Sequence, residues 1–170
     1  IVKIRETIME NILEVKNLNV YYTDKGSLLH KKKEDKHALK NVSFTMQEGE
    51  ILGLVGESGC GKTSLAKAIL GMQKKFDGDV MLKCDNPQMV FQDPYASLNP
   101  RMSVRNIVAE PLKIHGLDAG RQETDKKVIE LLQKVGLDSY HAVRYPHEFS
   151  GGQRQRIGIA RAIAINPKLI

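Results

Sequence analysis

The spacing of apolar positions changes several times along the chain, and each change marks an element. Residues 11–22 (NILEVKNLNVYY) are rich in β-formers, with Val15, Leu18, Val20 and Tyr22 in partial alternation, which predicts a strand. A polar stretch follows at 23–37, with Gly26 and Lys31-Lys32-Lys33, and reads as a surface loop. Residues 38–46 (ALKNVSFTM) predict a second strand, antiparallel to the first. Glu48-Gly49-Glu50 is a turn into 51–55 (ILGLV), a continuous apolar run of the kind expected for a strand covered on both faces.

From Lys62 the spacing becomes helical: Leu65, Ala66, Ile69 and Leu70 share one side, and Gly71 is a stop. Asp77-Gly78 reads as a turn, 80–83 and 88–91 as short strands, and Asp93-Pro94 as a break. Residues 97–101 read as a loop. A helix is expected near Ser103, with Ile107, Val108 and Leu112 on its apolar face and Pro111 kinking or ending it. Residues 122–135 carry the stripe Val128, Leu131, Leu132, Val135, with Gly136 as cap. After an irregular stretch, Ser150 is a natural N-cap for a helix to Ile165, with Ile157, Ala160, Ala164 and Arg161 inward. Asn166-Pro167 ends it, and Leu169-Ile170 reads as the start of another buried strand.

The order of strands and helices predicts an α/β fold with a parallel-sheet core, an antiparallel β region and a helical subdomain. At 170 residues the chain is about one domain. Its 41% hydrophobic and 27% charged residues suit a globular protein, and no apolar run approaches the roughly 20 residues that span a bilayer. No signal peptide is visible; because Met9 opens MENILEVKNL, the first eight residues read as upstream vector sequence or translated leader. The two cysteines, Cys60 and Cys84, have no metal spacing, which implies a reduced compartment. The net charge of +6 permits an anionic partner, but the lysine run reads as a solvated loop. No internal repeat or low-complexity tract is present.

The chemistry concentrates in Gly56-Glu57-Ser58-Gly59-Cys60-Gly61-Lys62-Thr63, which fits G-x-x-x-x-G-K-[ST] between an expected strand and an expected helix. The glycines allow backbone N–H groups from Gly56, Ser58, Gly59, Cys60, Gly61 and Ser64 to converge on phosphate oxygens, and the helix start adds partial positive charge. Lys62 is placed to reach the β- and γ-phosphates, and the Thr63 hydroxyl to hold Mg²⁺. The plain alternative is a glycine-rich turn, which leaves Lys-Thr after the last glycine unexplained. Ser150-Gly151-Gly152-Gln153 offers a second anion site: a hydroxyl, two bare N–H groups at a helix start, and a side-chain amide.

With FSGGQRQRIGIARA at 149–162, the chain resembles the nucleotide-binding subunits of ABC transporters, whose signature is L-S-G-G-Q; Phe149 stands in the first place here. The resemblance implies that Ser150, Gly151, Gly152 and Gln153 close on ATP held by the phosphate loop of a second subunit, in a head-to-tail dimer. It also implies that Gln92 reaches Mg²⁺ and the attacking water, and that Tyr22, with Tyr21 as the alternative, stacks on adenine. MVFQDPYASLNPRMSV, IVAEPLKIHGL and RYPHEFSGGQRQRIGIARAIAINPKLI narrow the resemblance to ATPase subunits of oligopeptide and dipeptide importers, including nickel-importing relatives. The short segment 71–88 departs from that pattern, which usually has a longer β excursion.

The implied division is a nucleotide-binding core and β region at about 10–92, a helical subdomain at about 93–149, and the signature helix with the next strand at 150–170. The implied partners are a second ATPase subunit, transmembrane permease subunits and, indirectly, a solute-binding protein, at the cytoplasmic face of the membrane. A soluble ABC ATPase acting on nucleic acid is the competing reading; FQDPYASLNP and YPHEFSGGQRQR argue against it. The family's Mg²⁺-linked Asp, catalytic Glu and switch His are expected beyond Ile170. His30, His37, His115, His141 and His147 are scattered and read as surface or loop residues. The chain is therefore expected to be an incomplete domain that binds nucleotide but hydrolyses it poorly or not at all.

Overall fold

Alternation along β1, Asn11–Tyr22, breaks once, between Val15 and Leu18, and the break is structural. In the computed structural model, which describes residues 10–22 and 36–170, Asn17 adopts φ 50 and forms a bulge. On one side β1 pairs antiparallel with β2, Lys36–Gln47, and the register slips between Val15↔Phe44 and Leu18↔Val42. On the other side it pairs with β3, Phe76–Leu82, slipping between Lys16↔Asp79 and Asn19↔Asp77. The extra residue restores phase, so Leu13, Val15, Leu18 and Val20 are all buried. The lysine run and leader expected from the sequence lie outside the described residues.

The sheet has the order β2-β1-β3 and is antiparallel throughout. Helix α1, Lys62–Ile69, packs Leu65 and Ala68 against its apolar face, beside Val20 and Leu39. Each such buried aliphatic side chain contributes about 1.5–3 kcal/mol. Gly71, at φ 67, follows the last turn as expected.

Two expectations fail here. Asp77-Gly78 is not a turn but lies inside β3: Gly78 has φ +95, and a Cβ on it would stand 2.5 Å from the Asn17 carbonyl oxygen. It is glycine because the β1 bulge crowds it. Residues 51–55 form no strand, and Ile51 and Val55 are each 95% exposed. An apolar run becomes a buried strand only where neighbouring strands and helices cover it, and none does so among the described residues.

The chain divides into two compact units, Ile1–Cys84 and Asp85–Ile170. The second is helical: α2, Pro94–Ser97; α3, Val104–Ile114; α4, Arg121–Lys134; and α5, Gly151–Ile163. Two short 3-10 turns, Ser139–Val143 and Pro146–Glu148, occupy the irregular stretch before α5. Ile107, Val108, Val128, Leu132, Ile157 and Ala160 meet in its core.

Helix α2 replaces part of the expected loop because Asp93 caps it, accepting from the Tyr95 and Ala96 amides at 2.8 and 3.4 Å. Pro111 does not end α3. It removes one amide donor close to the end, and the His115 amide still donates to the Pro111 carbonyl at 3.0 Å. Helix α5 stops at Ile163, short of Ile165. Segments 88–91 and 169–170 form no ladder; one bond, from the Gln88 amide to the Leu169 carbonyl at 3.0 Å, joins them.

Candidate functional site

The glycine loop of the first unit wraps its own lysine. The Lys62 ammonium donates to the Gly56 and Glu57 carbonyls at 2.7 and 2.8 Å, and lies 3.5 Å from the Cys60 Sγ. The Cys60 amide closes the turn onto the Glu57 carbonyl at 3.2 Å. Gly59 and Gly61 have φ 82 and 104, and a Cβ on Gly61 would meet Leu39 Cδ2 at 2.6 Å and the Ala38 carbonyl at 2.8 Å. The loop therefore curls tightly because its glycines permit left-handed backbone and close approach to β2.

The first α-helical bond of α1 runs from the Leu65 amide to the Gly61 carbonyl at 2.9 Å. The amides of Lys62, Thr63 and Ser64 precede it, and no side chain caps this helix start. An ammonium, a row of uncapped amides and the exposed Thr63 hydroxyl make a donor set that fits a polyphosphate and its cation.

Tyr22 belongs to the same place. Its hydroxyl lies 3.1 Å from the Ser64 hydroxyl, and the residue is 40% exposed. Tyr21 is engaged elsewhere. Its ring stacks on His37 at 4.6 Å, its carbonyl accepts from Gln73, and burial, then the neighbouring Asp77 carboxylate, push its phenol pKa up. Tyr22, Gly56, Ser58, Gly59, Cys60, Gly61, Lys62, Thr63 and Ser64 are thus brought together in the first unit.

Gln92 and the helix start at 150–153 belong to the second unit. Gln92 is exposed in the segment before α2. Ser150 and Gln153 form a capping box: the Ser150 amide donates to Gln153 Oε1 at 3.0 Å, and the Gln153 amide donates to Ser150 Oγ at 3.3 Å. The box uses the Gln153 carbonyl oxygen, so its side-chain NH₂ stands outside it. Gly151 and Gly152 are exposed, leaving their amides open at the helix start.

Three neighbours of the site escaped the sequence reading. Ala38 and Leu39 shape the loop from β2, a contact that only the fold reveals. Arg154 is 7% exposed and donates twice to the Phe149 carbonyl beside Ser150. Its signal was present: it lies three residues before Ile157, on the inward face of α5. Among the described residues no group of three or more His, Cys, Asp or Glu side chains is placed to hold a metal ion.

Comparisons with known proteins identify the family. The family profile described as ABC transporter matches residues 39–170. The oligopeptide transport ATP-binding protein OppF of Bacillus subtilis (strain 168) is 46% identical over 95% of this chain and 56% of its own length. The dipeptide transport ATP-binding protein DppF of Lactococcus lactis subsp. cremoris (strain MG1363) is 46% identical over 95% of this chain and 55% of its own. The chain thus spans about half the length of these relatives. Among solved structures, a dimeric ATP-binding cassette in a post-hydrolysis state, bound to ADP and Pi, superposes with a TM-score of 0.76 at 29% identity. The match covers 91% of this chain and 70% of that one.

Proposed function

The chain belongs to the ABC transporter family, and on that premise we propose that it is the nucleotide-binding part of an ATP-hydrolysing subunit that energises peptide import. The observation that carries the nucleotide assignment is the loop closed on Lys62, with uncapped amides of α1 behind it. Oligopeptides and dipeptides are the proposed cargo because OppF and DppF, named for their transport, are 46% identical across nearly the whole chain.

In this reading the phosphates take the place of the Gly56 and Glu57 carbonyls as partners of the Lys62 ammonium. The amides from Gly59 to Ser64 bind further phosphate oxygens, and Tyr22 stacks on adenine beside Ser64. Thr63 and Gln92 are the residues that would hold Mg²⁺, which would offset phosphate charge. Gln92 also positions water. The Ser150–Gln153 helix start of one subunit faces the nucleotide on the other, in a head-to-tail dimer.

ATP closes that dimer, and hydrolysis reopens it against transmembrane permease subunits supplied by a solute-binding protein. The subunit is peripheral, at the cytoplasmic face; no helix among the described residues is long and apolar enough to cross a membrane.

The test is ATP-dependent uptake by the complete transporter with Lys62→Ala, across a panel of oligopeptides, dipeptides and Ni²⁺. Loss of peptide uptake is expected. Peptide uptake at the unsubstituted rate overturns the reading, and loss confined to Ni²⁺ reassigns the cargo.

A further inference from the structure

A buried guanidinium needs its donors satisfied and its charge balanced. Arg154 is held by a backbone carbonyl and an aromatic ring, with no carboxylate partner among the described residues. Its Nε and one terminal nitrogen donate to the Phe149 carbonyl at 3.0 and 2.6 Å. Its guanidinium carbon lies 3.6 Å from the centre of the Tyr95 ring. Tyr95 is itself 67% exposed, so its ring serves less as core than as a cover over the cation.

Two more bonds join α5 to the segment that carries Tyr95. Gln155 Nε2 donates to the Phe91 carbonyl at 3.3 Å, and an Arg161 terminal nitrogen donates to the Ser97 carbonyl at 2.6 Å. Arg154 and Arg161 are two helical turns apart, about 10 Å along one face. Residues 91–97 are therefore held at three points by α5. That segment contains Gln92. The carbonyl that Arg154 grips belongs to Phe149, the residue before the Ser150 cap.

We propose that Tyr95 and Arg154 are a positioning pair that locks the Ser150–Gln153 helix start to the Gln92 segment, so that a displacement of 91–97 carries the helix start with it. Neither is a catalytic residue; Arg154 acts through the Phe149 carbonyl and Tyr95 through Arg154. The inference rests on the reading given under Proposed function, in which both regions serve one ATP-hydrolysing subunit. The grip depends on the planar fork of arginine and on an aromatic face, so lysine at 154 is a poor substitute and phenylalanine at 95 a good one.

The experiment is steady-state ATPase kinetics of the complete protein assembled with its membrane partners, with thermal melting alongside. Tyr95→Leu and Arg154→Lys are expected to lower kcat roughly tenfold to a hundredfold, leaving KM for ATP within about threefold. Tyr95→Phe is expected to restore kcat to within about twofold. Unsubstituted kcat in Tyr95→Leu overturns the proposal. So does an equal loss in Tyr95→Leu and Tyr95→Phe, or a loss that follows the melting temperature, since either marks plain packing. Gly151→Asp tests the underlying reading separately. Full turnover in Gly151→Asp defeats that reading, whereas an inactive Gly151→Asp beside an active Tyr95→Leu defeats the pair alone.

Discussion

The Tyr22 hydroxyl stands 3.1 Å from the Ser64 hydroxyl, joining the end of β1 to the first turn of the phosphate-loop helix. The bond is exposed, so its own contribution is small, and what it fixes is the place of the ring. Tyr22→Phe is expected to keep ATP affinity within about threefold. Tyr22→Ala is expected to weaken it about tenfold through lost stacking. Titration with a fluorescent ATP analogue measures both, and equal affinities in the two variants would move the adenine site elsewhere.

Lys62 shapes the loop as well as charging it, through its bonds to the Gly56 and Glu57 carbonyls. Lys62→Ala is expected to lower ATPase turnover of the complete protein by about a hundredfold or more. Lys62→Arg is expected to rescue little, because a flat guanidinium does not reproduce a compact ammonium between two carbonyls. Turnover assays on both variants check this.

Gly78 and Asn17 share a bulge that leaves no room for a side chain on the β3 side. Gly78→Ala adds left-handed strain and a clash with backbone, and is expected to cost about 2–4 kcal/mol by urea denaturation. Asn17→Gly, at φ 50, is expected to change stability by less than about 1 kcal/mol.

Asp118 has a carboxyl pKa held below its ordinary value of 3.8, chiefly by the hydrogen bond from the Thr124 hydroxyl, then by the Gly120 amide and by Lys113 and Arg105. The folded value lies below the unfolded one, so Asp118 stabilises the fold above pH 3.8, and that contribution is lost as pH falls through the folded value. Asp118→Asn is expected to flatten this acid limb. Melting temperature followed from pH 6 down to about pH 2.5 tests it.

What the sequence revealed depended on how local each cause is. The helices α1, α4 and α5 were legible because their period, caps and stop glycines lie within one element, as Ser150 and Gly136 illustrate. The β1 bulge was not, since Asn17 and Gly78 explain each other only once two strands are paired. The run 51–55 misled because covering neighbours, not composition, make an apolar stretch a buried strand. Helix α2 was readable in retrospect: Asp93 before Pro94 is a cap followed by a favoured first residue. The phosphate loop and the capping box at 150–153 were legible as motifs. The ties of α5 to residues 91–97 were hidden, because two of the three end on backbone carbonyls that any residue supplies.

The lysine held by its own loop also bears on which ligands the loop prefers. An ammonium already partnered by two neutral carbonyls gains little from exchanging them for other neutral oxygens. It gains much when the incoming oxygens carry formal charge. Under the proposed function the loop would act as a threshold on charge density, favouring ligands rich in anionic oxygens over phosphate-poor nucleosides.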